Sequence, residues 1–241
     1  MHALRDKVVV VTGASSGLGR ATALSLAGRG CRVVLAARRA DELERTARAC
    51  EERGGAAMPV PTDITRERDV DRLAHVTLDR WGGIDVWINN AGVTLFARIE
   101  EGEFADHRRV IETNLDGAIL CARAVVPIFR RQRRGTMINV GSVLSKVGHP
   151  FVPAYVISKF GLRGLSEALR VELADYPDIH ICTIFPYAID TPHFQTAANL
   201  VGRKPRAMPP VQSPEKVARA IVGLVERPRR ELQVPRAAVL G

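Results

Sequence analysis

At 241 residues and 46% hydrophobic side chains, the chain has enough material for one α/β domain with a sizeable core. No run approaches the ~20 apolar residues of a membrane-spanning helix, and four scattered cysteines show no metal-ligand spacing, so we expect no integral membrane segment, no metal site and a reduced, cytoplasmic setting. The net charge of +9 raises polyanion binding, with arginine clusters at Arg130, Arg131, Arg133, Arg134 and at Arg227, Arg229, Arg230, but no zinc-finger spacing or aromatic-rich strand motif accompanies it, and a solvated surface without a nucleic-acid partner is expected.

Along the chain, short β-branched runs alternate with longer amphipathic segments, the pattern of a parallel sheet wrapped by helices. Lys7–Val11 predicts the first strand; its apolar run is too short for a signal peptide, and no small-residue cleavage site follows. Gly17–Arg29 predicts the first helix, Arg32–Ala36 the next strand and Asp41–Arg53 a charged helix. Further strands are expected at Ala56–Val60, Ile84–Ile88, Thr136–Val140 and Ile179–Ile184, with long helical patterns over Asp106–Arg133 and Pro153–Asp175. Pro127 should kink the first of these or mark a helix boundary. From about Tyr187 to Pro210 the periodicity breaks into Pro, Gly, Ala and Arg, and loops of this length are usually functional or mobile. Ser213, Pro214 and Glu215 supply an N-cap, a first-turn proline and an acidic first turn for a last helix through about Glu226, and Glu231–Val234 a final strand. With no internal repeat or low-complexity linker, residues 1–241 are expected to form a single doubly wound α/β domain carrying a substrate loop near residues 187–212.

Two segments carry chemistry. Thr12-Gly13-Ala14-Ser15-Ser16-Gly17-Leu18-Gly19 falls directly between a predicted strand and helix. Glycines there let the backbone turn tightly and approach a diphosphate, whose charge a helix N-terminus favours. The spacing departs from the common dinucleotide fingerprint, and any tight strand-to-helix connection uses glycine, so the turn alone is not specific. Farther on, Tyr155 and Lys159 stand at i, i+4 on one predicted helical face. A free tyrosine, with a pKa of ~10, is a poor base at neutral pH. A nearby cation favours the phenolate, so Lys159 is expected to lower the Tyr155 pKa into a range useful for acid/base catalysis. Such pairs also occur on ordinary helix surfaces.

Thr12–Gly19, Asn89-Asn90-Ala91-Gly92, Asn114, Ser142, Tyr155 and Lys159 together resemble the motif set of the short-chain dehydrogenase/reductase family, in the family's order and with Ser142 thirteen residues before Tyr155. The resemblance covers nearly the whole chain, from Lys7 to about Val234, and the first-loop spacing is similar to that of the single-domain branch. It implies a Rossmann fold, a three-layer α/β/α doubly wound parallel sheet, and hydride transfer between a nicotinamide cofactor and a carbonyl or alcohol. By the same resemblance Ser142 holds the substrate oxygen and Tyr155 exchanges its proton, Lys159 binds the nicotinamide ribose and supports the phenolate, and Asn114 holds a water that passes protons onward. Cofactor contacts are implied at Gly13, Ser15, Ser16, Gly17, Leu18, Gly19, Asn90, Ala91 and Gly92, at Asp63 and Ile64 beside the adenine, and at Pro186, Ile189 and Thr191 beside the nicotinamide.

Cofactor choice hangs on the end of the second strand, where a carboxylate usually grips the adenosine ribose of NAD. Ala37 offers none, and Arg38 and Arg39 follow, suited to the 2′-phosphate of NADP, so NADP(H) is expected over NAD. Leu144, His149, Phe151, Val152, Tyr187, His193 and Phe194 line the substrate pocket by family position, implying a mostly apolar ligand. Tyr187 replaces the family's usual glycine after Pro186, and either faces the substrate or packs under the following loop. The resemblance, with apolar residues Leu162, Leu165, Ala168, Leu169 and Val171 on several sides of one helix, implies a homodimer or homotetramer built on the two long helices. The rival of another class is a non-catalytic dinucleotide-binding sensor or scaffold, which would not need Tyr155 or Lys159; both are present.

Overall fold

The computed structural model describes residues 4–192, 197–202 and 209–235. Strand β1 (Val8–Thr12) is buried at every position, as a strand covered on both faces requires. It pairs in parallel with β2 (Arg32–Ala37) on one side and β4 (Val86–Asn89) on the other. Adding β3 (Ala56–Pro61), β6 (Gly135–Val140), β7 (Ile179–Pro186) and β9 (Glu231–Val234) gives, among the described residues, a parallel seven-stranded sheet in the order β3-β2-β1-β4-β6-β7-β9. The doubly wound expectation holds.

The alternation of side chains along β1 divides the core in two. Val9 and Val11 pack with Val33 and Leu35 against helices α1 (Gly17–Ala27), α2 (Ala40–Glu51) and α7 (Pro214–Glu226). Val10 turns to the other layer with Val34, Trp87 and Met137, under α3 (Glu67–Trp81), α5 (Gly117–Gln132) and the end of α6 (Pro153–Glu172). Helix α3 is an addition to the elements expected from the sequence: Val70, Leu73, Ala74 and Thr77 form its buried stripe, and Gly82 ends it in the left-handed conformation.

The long helical stretch breaks elsewhere than expected. A short α4 (Phe104–Ile111) passes through a π-turn at Glu112–Asp116 into α5, which then runs on through Pro127. Pro127 lies on the exposed side of α5, where a carbonyl that loses its helical partner is open to solvent. The expected loop after β7 holds a two-residue strand β8 (Ala198–Asn199), paired with β5 (Leu95–Phe96). Ser213 caps α7 by accepting from the Lys216 N–H, with Pro214 in the first turn, as the sequence indicates.

Strand order reverses between β1 and β4, and a crevice opens at their carboxyl ends, where open α/β sheets bind ligands. There a hydroxyl joins two loops. Thr12 Oγ1 donates to the Ile88 carbonyl at 3.2 Å and accepts from the N–H groups of Asn90 at 3.0 Å and Ala91 at 3.1 Å. The Asn90 amide in turn donates to the Thr12 carbonyl at 2.9 Å.

Candidate active site

A cavity of about 710 Å³ runs along this crevice, from Arg38, Arg39 and Asp63 at one end to Ser142, Tyr155 and Lys159 at the other. Its floor is the Gly13–Gly19 turn. Gly13 and Gly17 adopt left-handed φ values of 68° and 52°. A Cβ on Gly13 would lie 2.8 Å from the Ala91 Cα, and one on Gly19 would strike the Gly13 carbonyl oxygen. Positions 13 and 19 are therefore closed to side chains, and the loop leads into the N-terminus of α1, where Ser16 makes no side-chain cap bond. This cradle, with backbone N–H groups at a helix start, fits the diphosphate of a dinucleotide.

At the β2 end, Arg39 Nη2 donates to Ser15 Oγ at 3.3 Å, tying the arginine pair to the glycine turn. Burial pushes the Asp63 carboxyl up, but hydrogen bonds from Thr65 and the guanidinium groups of Arg38 and Arg66 outweigh it and hold the group below its usual range. Asp63 is thus an anion next to Arg38, and the 2.7 Å bond it accepts from Thr65 Oγ1 fixes its orientation. Ile64 and Glu42 also line this end.

At the far end, Ser142 is the N-cap of a 3-10 turn at Val143–Ser145. Its Oγ accepts from the Leu144 N–H at 3.2 Å, and Ser145 Oγ accepts from the Ser142 N–H at 3.1 Å, so both backbone and hydroxyl are held. Tyr155 and Lys159 occupy one face of α6, and Lys159 Nζ stands 5.5 Å from the Tyr155 ring centroid. The ammonium donates to the Val140 carbonyl at 2.8 Å. Burial lowers the Lys159 pKa to about 8. Burial also raises the Tyr155 pKa to about 12, against a smaller opposing contribution from its hydrogen bond with Ser142. The expected lowering of the Tyr155 pKa by Lys159 is therefore corrected: desolvation of the phenolate dominates.

Asn114 does not line the cavity. It lies in the π-turn, behind Gly92, with its Nδ2 donating to the Val93 carbonyl at 2.9 Å and to Ser158 Oγ at 3.0 Å, and its Oδ1 accepting from the Val93 N–H at 2.7 Å. Its side-chain amide thus braces the Asn90–Val93 turn against α6. Ser158, which donates to the Tyr155 carbonyl at 2.7 Å, was missed by sequence reading because a serine inside a helix carries no distinctive spacing.

Leu144, His149, Val152 and Tyr187 line the cavity together with Thr94, Phe96 and Pro192. Tyr187 is buried against the cavity, and its N–H extends the sheet by donating to the Val234 carbonyl at 3.0 Å. Phe151 is a correction: it turns out of the cavity with a φ of 66° and lies under the Arg98 guanidinium, 5.6 Å from its ring centroid. The positive φ redirects the side chain, which sequence does not reveal. Pro186, Ile189 and Thr191 line the cavity, whereas His193 and Phe194 lie outside the described residues. Among the described residues no group of metal-ligating side chains comes together, and no helix is long and apolar enough to cross a membrane.

A family model described as short chain dehydrogenase matches residues 7–200. The chain is 35% identical over 236 residues to a Bacillus subtilis (strain 168) protein described as uncharacterized oxidoreductase YxnA, covering 96% of this chain and 66% of that protein, so it spans about two thirds of that relative's length. Its fold is similar to an alcohol dehydrogenase from the archaeon Thermococcus sibiricus complexed with 5-hydroxy-NADP, with a TM-score of 0.83 and 29% identity over 95% of this chain and 96% of that one. It is also similar to the 3-ketoacyl-(acyl-carrier-protein) reductase from Brucella melitensis complexed with NADH, with a TM-score of 0.84 and 29% identity over 96% of this chain and 97% of that one.

Proposed function

Because this chain belongs to the short-chain dehydrogenase/reductase family, we propose that it transfers hydride between NADP(H) and a mostly apolar carbonyl or alcohol substrate. The observation that carries the reading is one cavity with Ser142, Tyr155 and Lys159 at one end and Arg38 and Arg39, after an uncharged Ala37, at the other. NADPH, when bound, supplies the hydride; the protein supplies position and a proton. Ser142 and Tyr155 both line the cavity and are hydrogen-bonded to each other, and a carbonyl oxygen that takes the place of that mutual bond would accept from both hydroxyls. With its pKa raised, Tyr155 keeps its proton at neutral pH and acts as the acid for reduction. Lys159 offers its ammonium to ribose hydroxyls and, once drawn from the Val140 carbonyl, supports the phenolate that proton transfer leaves. Asn114 keeps the Gly92–Val93 turn in place beside it.

Apolar lining by Phe96, Leu144, Val152, Tyr187 and Pro192 favours a mainly hydrocarbon substrate. Both cofactors occur among the similar structures, one with 5-hydroxy-NADP and one with NADH, and the preference for NADP(H) rests on Ala37 and Arg38. The reading includes a homo-oligomer in the cytoplasm, built on α5 and α6. Its apolar stripe differs from the expected one: Leu162 and Leu169 are buried in the chain's own packing, while Ile157, Phe160 and Val171 are exposed on α6, and Ile119 on α5. A panel of carbonyls and alcohols followed by NADPH absorbance tests the activity. Turnover that survives Tyr155→Phe, or none on any member of the panel, would count against it.

A further inference from the structure

Outside the cavity, a carboxylate joins two of the elements that build it. Glu231 opens β9, in register with Thr183 of β7. Its Oε2 lies 2.9 Å from Lys146 Nζ and its Oε1 lies 3.1 Å from Arg163 Nε. Lys146 is the C-cap of the 3-10 turn whose N-cap is Ser142, and its ammonium also stands 4.2 Å from the Phe185 ring centroid. Arg163 follows Lys159 by four residues on α6, which places it one turn beyond the lysine and two beyond Tyr155. The two oxygens of one carboxylate therefore grip separately the turn that carries Ser142 and the helix that carries Tyr155. Burial pushes the Glu231 carboxyl up, yet the hydrogen bond and charge of Lys146 and the guanidinium of Arg163 hold it below its usual range, so it is an anion throughout the neutral range. The glutamate and lysine side chains are each 29% exposed, which limits screening by solvent and salt.

Each gripped element is also fastened independently. The turn is tied to β7 by the Gly141 N–H donating to the Ile184 carbonyl at 2.9 Å, and α6 by the burial of Leu162 and Leu169. Neither fastening sets the turn against the helix. The turn and α6 also meet on the cavity side, through the Ser142–Tyr155 hydrogen bond and the Lys159 ammonium on the Val140 carbonyl, and Glu231 adds the charged link that joins them on the other side.

We propose that Glu231 is a positioning residue for hydride transfer, holding the Ser142 turn against α6 so that the serine and tyrosine hydroxyls meet on one substrate oxygen. The proposal rests on the oxidoreductase reading above. Misplacement of a catalytic group by about 1 Å can cost as much as 10²-fold in rate, and a loosened rather than lost contact should cost about tenfold.

The test uses the full chain with Glu231→Gln, which keeps the side chain's size and removes its charge, together with Lys146→Met and the double variant. Glu231→Gln should lower kcat about tenfold while the Kd for NADPH stays within twofold, because the cofactor cradle is untouched. Adding Lys146→Met to Glu231→Gln should lower kcat by less than the two single losses multiplied, since both act through one link. Hydrogen exchange of the free protein should show faster exchange at Val143–Lys146 in Glu231→Gln, with β7 unchanged. Independent, fully multiplicative losses, or a kcat within twofold of wild type in a protein that Tyr155→Phe inactivates, overturn the proposal. Where wild type itself transfers no hydride, the oxidoreductase reading fails first, and unchanged exchange at Val143–Lys146 then overturns the positioning claim on its own. Should Glu231→Gln not fold, Lys146→Met alone must show the same split between kcat and Kd, or the link is refuted.

Discussion

Lys159 donates an ammonium proton to the Val140 carbonyl at 2.8 Å, which moors the side chain to the end of β6. Burial lowers its pKa from 10.5 to about 8, and burial raises that of Tyr155 from 10.0 to about 12. For Lys159 the unfolded chain holds its proton to higher pH than the folded one, so its contribution to stability rises with pH through the window from about 8 to 10.5. Tyr155 acts oppositely: between 10.0 and about 12 the folded chain retains a proton the unfolded chain has lost, and its contribution falls as pH rises. Phosphates and ribose hydroxyls favour the charged lysine, so NADPH binding near pH 8 should take up a fraction of a proton per site. Calorimetry in buffers of different ionisation enthalpy measures this uptake. Proton release, or none, contradicts the assignment.

Substitutions at the reacting end should give three separable patterns. Tyr155→Phe keeps the ring, so NADPH binding survives while turnover falls by about 10²–10⁴-fold. Lys159→Ala should damage both turnover and NADPH affinity. Ser142→Ala should lower turnover with little change in NADPH binding. Steady-state kinetics with fluorescence titration separates them, and identical effects from all three would point to misfolding instead.

At the adenosine end, Arg38→Ala should weaken NADPH binding by about ten- to more than a hundredfold, the worth of a charge-assisted bond of roughly 1.5–3 kcal/mol, with NADH barely affected. Titration of both cofactors decides it. Wild type that prefers NADH excludes a 2′-phosphate site at Arg38.

Tyr187 fills the cavity wall where a smaller residue would leave space. Tyr187→Ala should lower stability by about 3–5 kcal/mol, in the range of other buried aromatic truncations, and shift preference toward bulkier carbonyls. Denaturant melts and kcat/KM over a size series report both. An unchanged size preference would assign Tyr187 to packing alone.

Assembly through α5 and α6 should be broken by a charge in the exposed stripe. Val171 is 78% exposed on α6, so Val171→Asp should leave the monomer's fold intact and disperse the oligomer. Light scattering at micromolar concentration checks it. A monomeric wild type would remove the oligomer from the reading.

The sheet and most of its helices are legible in the sequence because their signals are local: Val8–Val11 is a continuous apolar run, and Ser213-Pro214-Glu215 spells a helix start. Of the residues that the resemblance singles out, Ser142, Tyr155 and Lys159 line one cavity, while Asn114 lies behind Gly92. What stayed hidden depends on the third dimension. The turn of Phe151 away from the cavity comes from a positive φ, and the brace from Asn114 to Ser158 joins residues far apart in the chain. The raised pKa of Tyr155 is set by enclosure, which residue spacing does not encode.

The π-turn at Glu112–Asp116 inserts an extra residue into what would otherwise be one long helix. With 3.6 residues per turn, a single residue corresponds to about 100° of rotation. His107 and Val110 before the turn and Ala118, Cys121, Ala122 and Val125 after it are all buried, each on its own side of that phase slip. Deleting one residue here would make the helix regular and the protein worse. α5 would rotate by about 100° against α4, one of the two apolar faces would swing toward water, and the Asn114 amide would leave the backbone of Val93. The local defect lets two hydrophobic faces and one asparagine share a single rod, so shortening this segment should be less well tolerated than shortening an exposed loop.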